Sequence, residues 1–166
     1  MEQHCGPVNM GERVRRLETR DHEALVEVYR QAVLCSTAAL YSKQQQWAWA
    51  NQSEALRPLL SQGKGFVSCN PQDQAEAFCL RHPNDRVALL YSHPSVQRRG
   101  CGKALLQATE QDAQSEGITM LRTEASLISK PLFEAMGWQV NWREELRIGG
   151  VHFQRFRMQK PLRRGY

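Results

Sequence analysis

VALLYSHPSVQRRGCGKALLQATEQDAQSEG, residues 87–117, decides how the rest of the chain is read. It holds an apolar run from Val87 to Tyr91, a break at His93-Pro94, a cationic glycine loop from Gln97 to Lys103 and an amphipathic stretch that stops at Gly117. The run reads as a buried strand, and the amphipathic stretch predicts a helix from about Gly102 to Glu116 with Gly117 as its left-handed C-cap. A strand feeding a glycine-rich loop that opens a helix presents N–H groups with no intrahelical acceptor at the positive end of the helix dipole, which suits a phosphate. Gly100 and Gly102 permit positive φ and close backbone approach, while Arg98, Arg99 and Lys103 add charge. The spacing is neither GxxxxGK[ST] nor the GxGxxG of dinucleotide-binding folds. An ordinary basic turn ahead of a helix is the bland reading of the same residues.

Upstream, Phe66–Cys69 and Ala75–Leu80 are apolar runs bounded by the turns Asn70–Asp73 and His82–Asp85. With Val87–Tyr91 they form an antiparallel meander. Earlier still the period is helical. Asp21 is placed to cap a helix from about His22 to Cys35, Ser42 to open Lys43–Ala50, and Ser53 to precede Leu56, Leu59 and Leu60, where Pro58 predicts irregularity. A weak alternation makes Arg13–Glu18 a candidate first strand. Downstream, Ile118–Thr123 predicts a strand parallel to Val87–Tyr91 through a right-handed crossover. Ser126 or Ser129 caps a short helix that runs through Phe133 and stops at Gly137, and a hairpin of Trp138–Leu146 and Val151–Met158 closes the chain around Gly149-Gly150. The expected class is α/β (α+β): a mixed sheet of about seven strands, an antiparallel meander plus one parallel βαβ crossover, with helices on both faces.

The 166 residues fit one domain, expected over 12–162 with tails at 1–11 and 163–166. The five cysteines are scattered, odd in number and never in a CxxC pair, which argues against a disulfide framework and a zinc site and fits a reducing cytoplasm. No stretch reaches the roughly 18 apolar residues of a membrane span, and no signal-peptide core opens the chain, so no membrane partner is expected. The net charge of +5 suits an anionic ligand. It lacks the aromatic-interleaved basic stripe of a nucleic-acid binder, so no nucleic acid is expected.

The combination of segments resembles the GNAT superfamily of acetyl-CoA-dependent N-acetyltransferases. Gln97-Arg98-Arg99-Gly100-Cys101-Gly102 matches the family's Q/R-x-x-G-x-G/A loop. Leu90-Tyr91-Ser92-His93-Pro94 precedes it as strand and break, with Ser92 where the family usually has an aliphatic residue. Ala125-Ser126 and Lys130-Pro131-Leu132-Phe133-Glu134-Ala135-Met136-Gly137-Trp138 follow, similar to the family's A-[K/R]-P-F-[F/Y]-E-x-x-G-F segment. Tyr41–Trp47 and Gly150–Leu162 are similar to a bacterial YafP-like subgroup.

The resemblance implies a sheet whose central parallel pair is splayed, with the acetyl-CoA pantetheine arm in the opening beside Leu90, Tyr91 and Ser92. The loop amides of Arg99, Gly100, Cys101, Gly102 and Lys103 would take the pyrophosphate, with Gln97, Arg98, Ala104 and Phe133 also in the cofactor site. Cys101 would contribute an N–H rather than a nucleophilic thiol, and no metal is implied. Transfer would go from acetyl-CoA to a primary amine of a small molecule or peptide by direct attack in a ternary complex. Leu90 or Tyr91 N–H would face the developing oxyanion. Glu124 and His93 are candidate bases. Phe133 stands where the family often has the tyrosine acid, which leaves Tyr41, Ser126 or water to protonate the thiolate. Tyr41 and Trp47 would shape the amine pocket. A homodimer is allowed for, and a non-catalytic acyl-CoA-binding module is the competing reading.

Overall fold

The computed structural model describes residues 13–163. The tail expected over 1–11, and residues 164–166 of that expected over 163–166, lie outside the described residues. Strand β1, Val14–Arg16, is followed by helices α1 (His22–Ser36), α2 (Lys43–Ala50) and α3 (Leu56–Gln62). Strands β2 (Lys64–Cys69), β3 (Ala75–Arg81) and β4 (Arg86–Ser92) form the meander. Helix α4 (Cys101–Ser115) crosses to β5 (Met120–Ala125), and α5 (Lys130–Ala135) precedes the hairpin of β6 (Gln139–Ile148) and β7 (Val151–Pro161). All seven strands share one sheet in the order β1-β2-β3-β4-β5-β7-β6, with β4 and β5 its parallel pair.

Helices cover both faces because the strands alternate apolar side chains to either side. Phe78 and Leu80 of β3 join Leu25, Val33 and Leu60 under α1 and α3, whereas Ala77 and Cys79 join Leu105, Leu106 and Phe133 under α4 and α5. Burial on both faces is why β3 reads as an unbroken apolar run.

Several expectations shift in position. The first strand is shorter than Arg13–Glu18, and the strand expected at Ile118–Thr123 lies at Met120–Ala125. It starts later because Gly117 (φ +81) and the Ile118 N–H, which bonds Ala113 C=O at 3.1 Å, wrap the end of α4 first. Pro58 falls in the first turn of α3, where its missing N–H costs no hydrogen bond, so the helix is regular. Asp21 stands at the start of α1 without capping it: its carboxylate accepts Arg15 at 2.8 and 2.9 Å and the Glu18 N–H at 2.8 Å. Ser42 caps α2 in a full capping box with Gln45. The far end of α4 is tied down by Arg81, whose guanidinium is buried against Asp112 at 2.7 Å and Glu116 at 3.1 Å.

Candidate active site

The site starts where β4 leaves β5. The two strands pair only at Arg86–Arg122 and Val87–Thr123. The Thr123 hydroxyl closes that vertex by donating to Val87 C=O at 2.8 Å. Immediately beyond it the β3–β4 register slips between Leu80 and Arg81, leaving Ala88 as an extra residue on β4. Such a bulge bends the strand that carries it. The departure also fixes which backbone groups face the opening. His93 N–H donates to Glu76 C=O at 2.8 Å. By the two-residue alternation of an antiparallel ladder, Tyr91 and Leu89 then point their N–H groups at β3, while Leu90 and Ser92 point theirs into the gap. Of the two candidates for an oxyanion donor, the Tyr91 amide is therefore consumed by the sheet.

A cavity of about 800 Å³ fills the gap. One end is the glycine loop. Pro94–Val96 makes a single 3₁₀ turn capped by His93, whose Nδ1 accepts Ser95 N–H at 3.1 Å. Arg98 (φ +62) and Gly100 (φ +80) then turn the chain into α4. Ala104 is the first residue whose amide is taken, by Gly100 C=O at 3.1 Å. The N–H groups of Cys101, Gly102 and Lys103 have no backbone acceptor among the described residues, as at any open helix start. A Cβ on Gly102 would come 2.9 Å from Leu132 Cδ2. The three open amides and the lack of a side chain at Gly102 fit a phosphate group. Gln97, Arg98, Gly100, Cys101, Gly102 and Lys103 line the cavity. Arg99 and Ala104 do not. The Cys101 thiol turns inward, 3.8 Å from the Ser68 hydroxyl, which leaves its N–H as the group on offer.

The other end is aromatic. Tyr41 packs edge-on to Trp49 at 5.2 Å between centroids, and Trp49 meets Tyr91 at 6.4 Å and Phe153 at 6.3 Å. The Tyr41 hydroxyl accepts the Leu127 N–H at 3.0 Å and touches Ser126; burial pushes its pKa up. Burial likewise pushes the Tyr91 phenol up to about 12. Tyr41 and Ser126, far apart in sequence, are brought together on the cavity wall. Trp47 is not. It is 56% exposed and off the wall, and Trp49 stands there instead. The capping box fixes the phase of α2 so that Gln46 and Ala50 face inward, which carries Trp49 with them and Trp47 away. That phase was the available signal.

The two candidate bases are also committed elsewhere. His93 does not line the cavity, and its Nδ1 is occupied by the turn it caps. Glu124 is on the wall, but both oxygens accept from Arg86 Nε, at 2.9 and 3.2 Å, and Arg157 Nη1 lies 3.0 Å from one of them. Arg157 also grips Glu144 at 2.9 and 3.0 Å, and Arg155 Nε meets Glu144 at 2.5 Å. Phe133 is 2% exposed and packs edge-on against Trp138 at 4.9 Å; its ring reaches the wall as part of the core. Arg86, Arg155 and Phe153 went unforeseen because their strands carry no motif, and only a period of two on β7 would have aligned Phe153, Arg155 and Arg157 on one face.

A model of the acetyltransferase (GNAT) domain matches residues 37–160. The chain belongs to the GNAT acetyltransferase family. Among curated relatives, the uncharacterized N-acetyltransferase YafP of Escherichia coli (strain K12) is 29% identical over 151 residues, covering 89% of this chain and 95% of YafP. A GCN5-related N-acetyltransferase of Rhodopseudomonas palustris superposes with a TM-score of 0.82 at 26% identity, covering 90% of this chain and 94% of that one. The PaiA N-acetyltransferase of Thermoplasma acidophilum, solved in complex with coenzyme A, shares the fold at a TM-score of 0.66 and 21% identity, covering 89% of this chain and 97% of that one. The splayed pair and glycine loop of this GNAT chain thus sit in a sheet common to enzymes of that family.

Proposed function

We propose that the GNAT chain transfers the acetyl group of acetyl-CoA to a primary amine by direct attack in a ternary complex, as one domain over 12–162 working in a reducing cytoplasm. The four described cysteines, all free thiols, agree with that compartment. Membership of the family makes it an acetyl-CoA-dependent acyltransferase. The observation that carries the reading is the open edge of β4 leading directly to the unpaired amides at the start of α4. Acetyl-CoA supplies an activated acyl carbon, and the chain's residues do the rest. The amides of Cys101, Gly102 and Lys103 hold the pyrophosphate, with Arg98 and Lys103 beside it. The Leu90 and Ser92 backbone groups hold the extended arm in the gap.

Leu90 N–H is the donor for the charge that develops on the thioester oxygen; one such donor contributes about 3–4 kcal/mol of barrier lowering. Tyr41, with its O–H kept protonated by burial, donates to the departing sulfur, and Ser126 orients it. With the Glu124 carboxylate held by Arg86 and Arg157, water carries away the proton that the nitrogen must lose. Phe133 shapes the wall and moves no proton.

The test is a thermal shift with acetyl-CoA and CoA, followed by thiol release over a panel of primary amines. Stabilisation by both and release with at least one amine is expected. A protein that neither ligand stabilises refutes the reading, while stabilisation without release on any amine favours a non-catalytic acyl-CoA binder.

A further inference from the structure

The acceptor end of the cavity carries more positive charge than its own carboxylates balance. Along β7 the alternation sends Phe153, Arg155 and Arg157 to one face. Register places them opposite Leu146, Glu144 and Glu124 on the flanking strands. Three guanidinium groups, on Arg86, Arg155 and Arg157, share the two carboxylates of Glu124 and Glu144. Arg157 is fully engaged: Nε and Nη2 hold Glu144 and Nη1 holds Glu124. Arg86 spends Nε on Glu124 and Nη1 on His82 C=O at 3.3 Å. Arg155 alone of the three keeps both terminal nitrogens without a partner among the described residues, and it lines the cavity. Its neighbours on the wall, Phe153, Leu146 and Ile148, are apolar.

Resting on the acetyltransferase reading above, we propose that the acceptor is a small amine bearing a carboxylate beside an apolar body, held by the free fork of Arg155. A planar carboxylate matches two parallel N–H donors of a guanidinium, an interaction a bare ammonium ligand cannot make. In the transfer, the amine nitrogen bonds the acyl carbon as the carbon–sulfur bond breaks; the nitrogen loses a proton to water and the thiolate takes one. A dicationic or polycationic amine would meet the surplus charge with no partner for it.

The experiment pairs each amino acid with its decarboxylated analogue, L-phenylalanine with phenethylamine and L-leucine with isopentylamine. Binding to CoA-loaded protein is measured by calorimetry, and turnover with acetyl-CoA by thiol release. The carboxylated member should be preferred by about 10- to 100-fold, the range set by loss of one charge-assisted hydrogen-bonded pair. Arg155→Gln should bring that ratio close to one, Arg155→Lys should restore part of it, and CoA affinity should be the same in all three proteins. Equal or better binding of the decarboxylated amines overturns the proposal, as does an Arg155→Gln loss that falls equally on both series, or binding of neither series by protein that CoA stabilises. Failure of the acetyltransferase reading itself shows separately, as absence of stabilisation by CoA.

Discussion

Gly102→Glu puts a carboxylate where the pyrophosphate is proposed to sit, and its effect can be worked out from the loop. The substituted Cβ comes 2.9 Å from Leu132 Cδ2, the end of a flexible and only half-buried side chain, so the fold accommodates it by a small leucine movement. The electrostatic cost is larger. Two like charges at about 4 Å repel by about 1 kcal/mol in bulk water and about 4 kcal/mol near a protein surface. A pyrophosphate with about two charges therefore loses about 2–8 kcal/mol, a drop in affinity of at least about 30-fold. In a thermal-shift assay at a ligand concentration about 100 times the parent Kd, the parent gains about 2.7 kcal/mol, or about 5–10 °C for a chain of this length. The variant, about 30-fold weaker, gains about 0.9 kcal/mol and about 2–3 °C. Gly102→Ala is the control: it meets the same leucine without the charge, and its stability should stay within about 1 kcal/mol of the parent. A folded Gly102→Glu protein that binds CoA within about threefold of the parent would refute the placement of the pyrophosphate at this helix start.

Tyr41→Phe should lower kcat about tenfold or more while leaving CoA affinity unchanged, because the lost hydroxyl is proposed to serve the departing sulfur and not the pyrophosphate; an unaltered kcat would remove Tyr41 from the reaction. The pH dependence of stability is set in part by Glu144, whose pKa the hydrogen bonds from Arg157 and Arg155 hold down at about 2. Its ordinary value is about 4.3, so the stabilisation is present above about pH 4.3 and is lost as the pH falls toward about 2. Glu144→Gln should flatten the fall in Tm between about pH 5 and about pH 2.5 relative to the parent, and parallel curves would show that the pair contributes nothing in water.

What could be read from sequence was whatever local chemistry fixes. The 87–117 stretch gave strand, loop and helix in the right places because each boundary is set by a nearby residue: the His93-Pro94 break, Gly100 at the helix start, Gly117 at its end. Ser42 worked for the same reason, its capping partner Gln45 being three residues away. Where the partner is not written into the motif, the reading slips. Asp21 gives its carboxylate to Arg15 on β1 instead of capping α1, and His93 turns its ring nitrogen to its own turn two residues on rather than to the cavity. Trp47 and Trp49 are equivalent in composition, and only the phase of α2 against β7 separates a solvent tryptophan from a wall tryptophan. Glu124 could be picked out as a carboxylate at a strand end, but its two arginines come from β4 and β7, with 37 or 32 residues of chain between them and it.

The gap between β4 and β5 makes the sheet two plates hinged at one corner, with β1–β4 on one side and β5, β7 and β6 on the other. Edges of this kind normally lie at the rim of a sheet, where charges, prolines or short strands discourage other chains from adding to them. Here the edge is in the middle and its guard is depth: α1, the loop and α5 wall it off, so only a thin, extended molecule can reach the Leu90 and Ser92 amides. A molecule that does so would pair with β4 as a further strand and tie the plates together. Binding along the β4 edge would then stiffen the sheet where β4 and β5 share only two rungs.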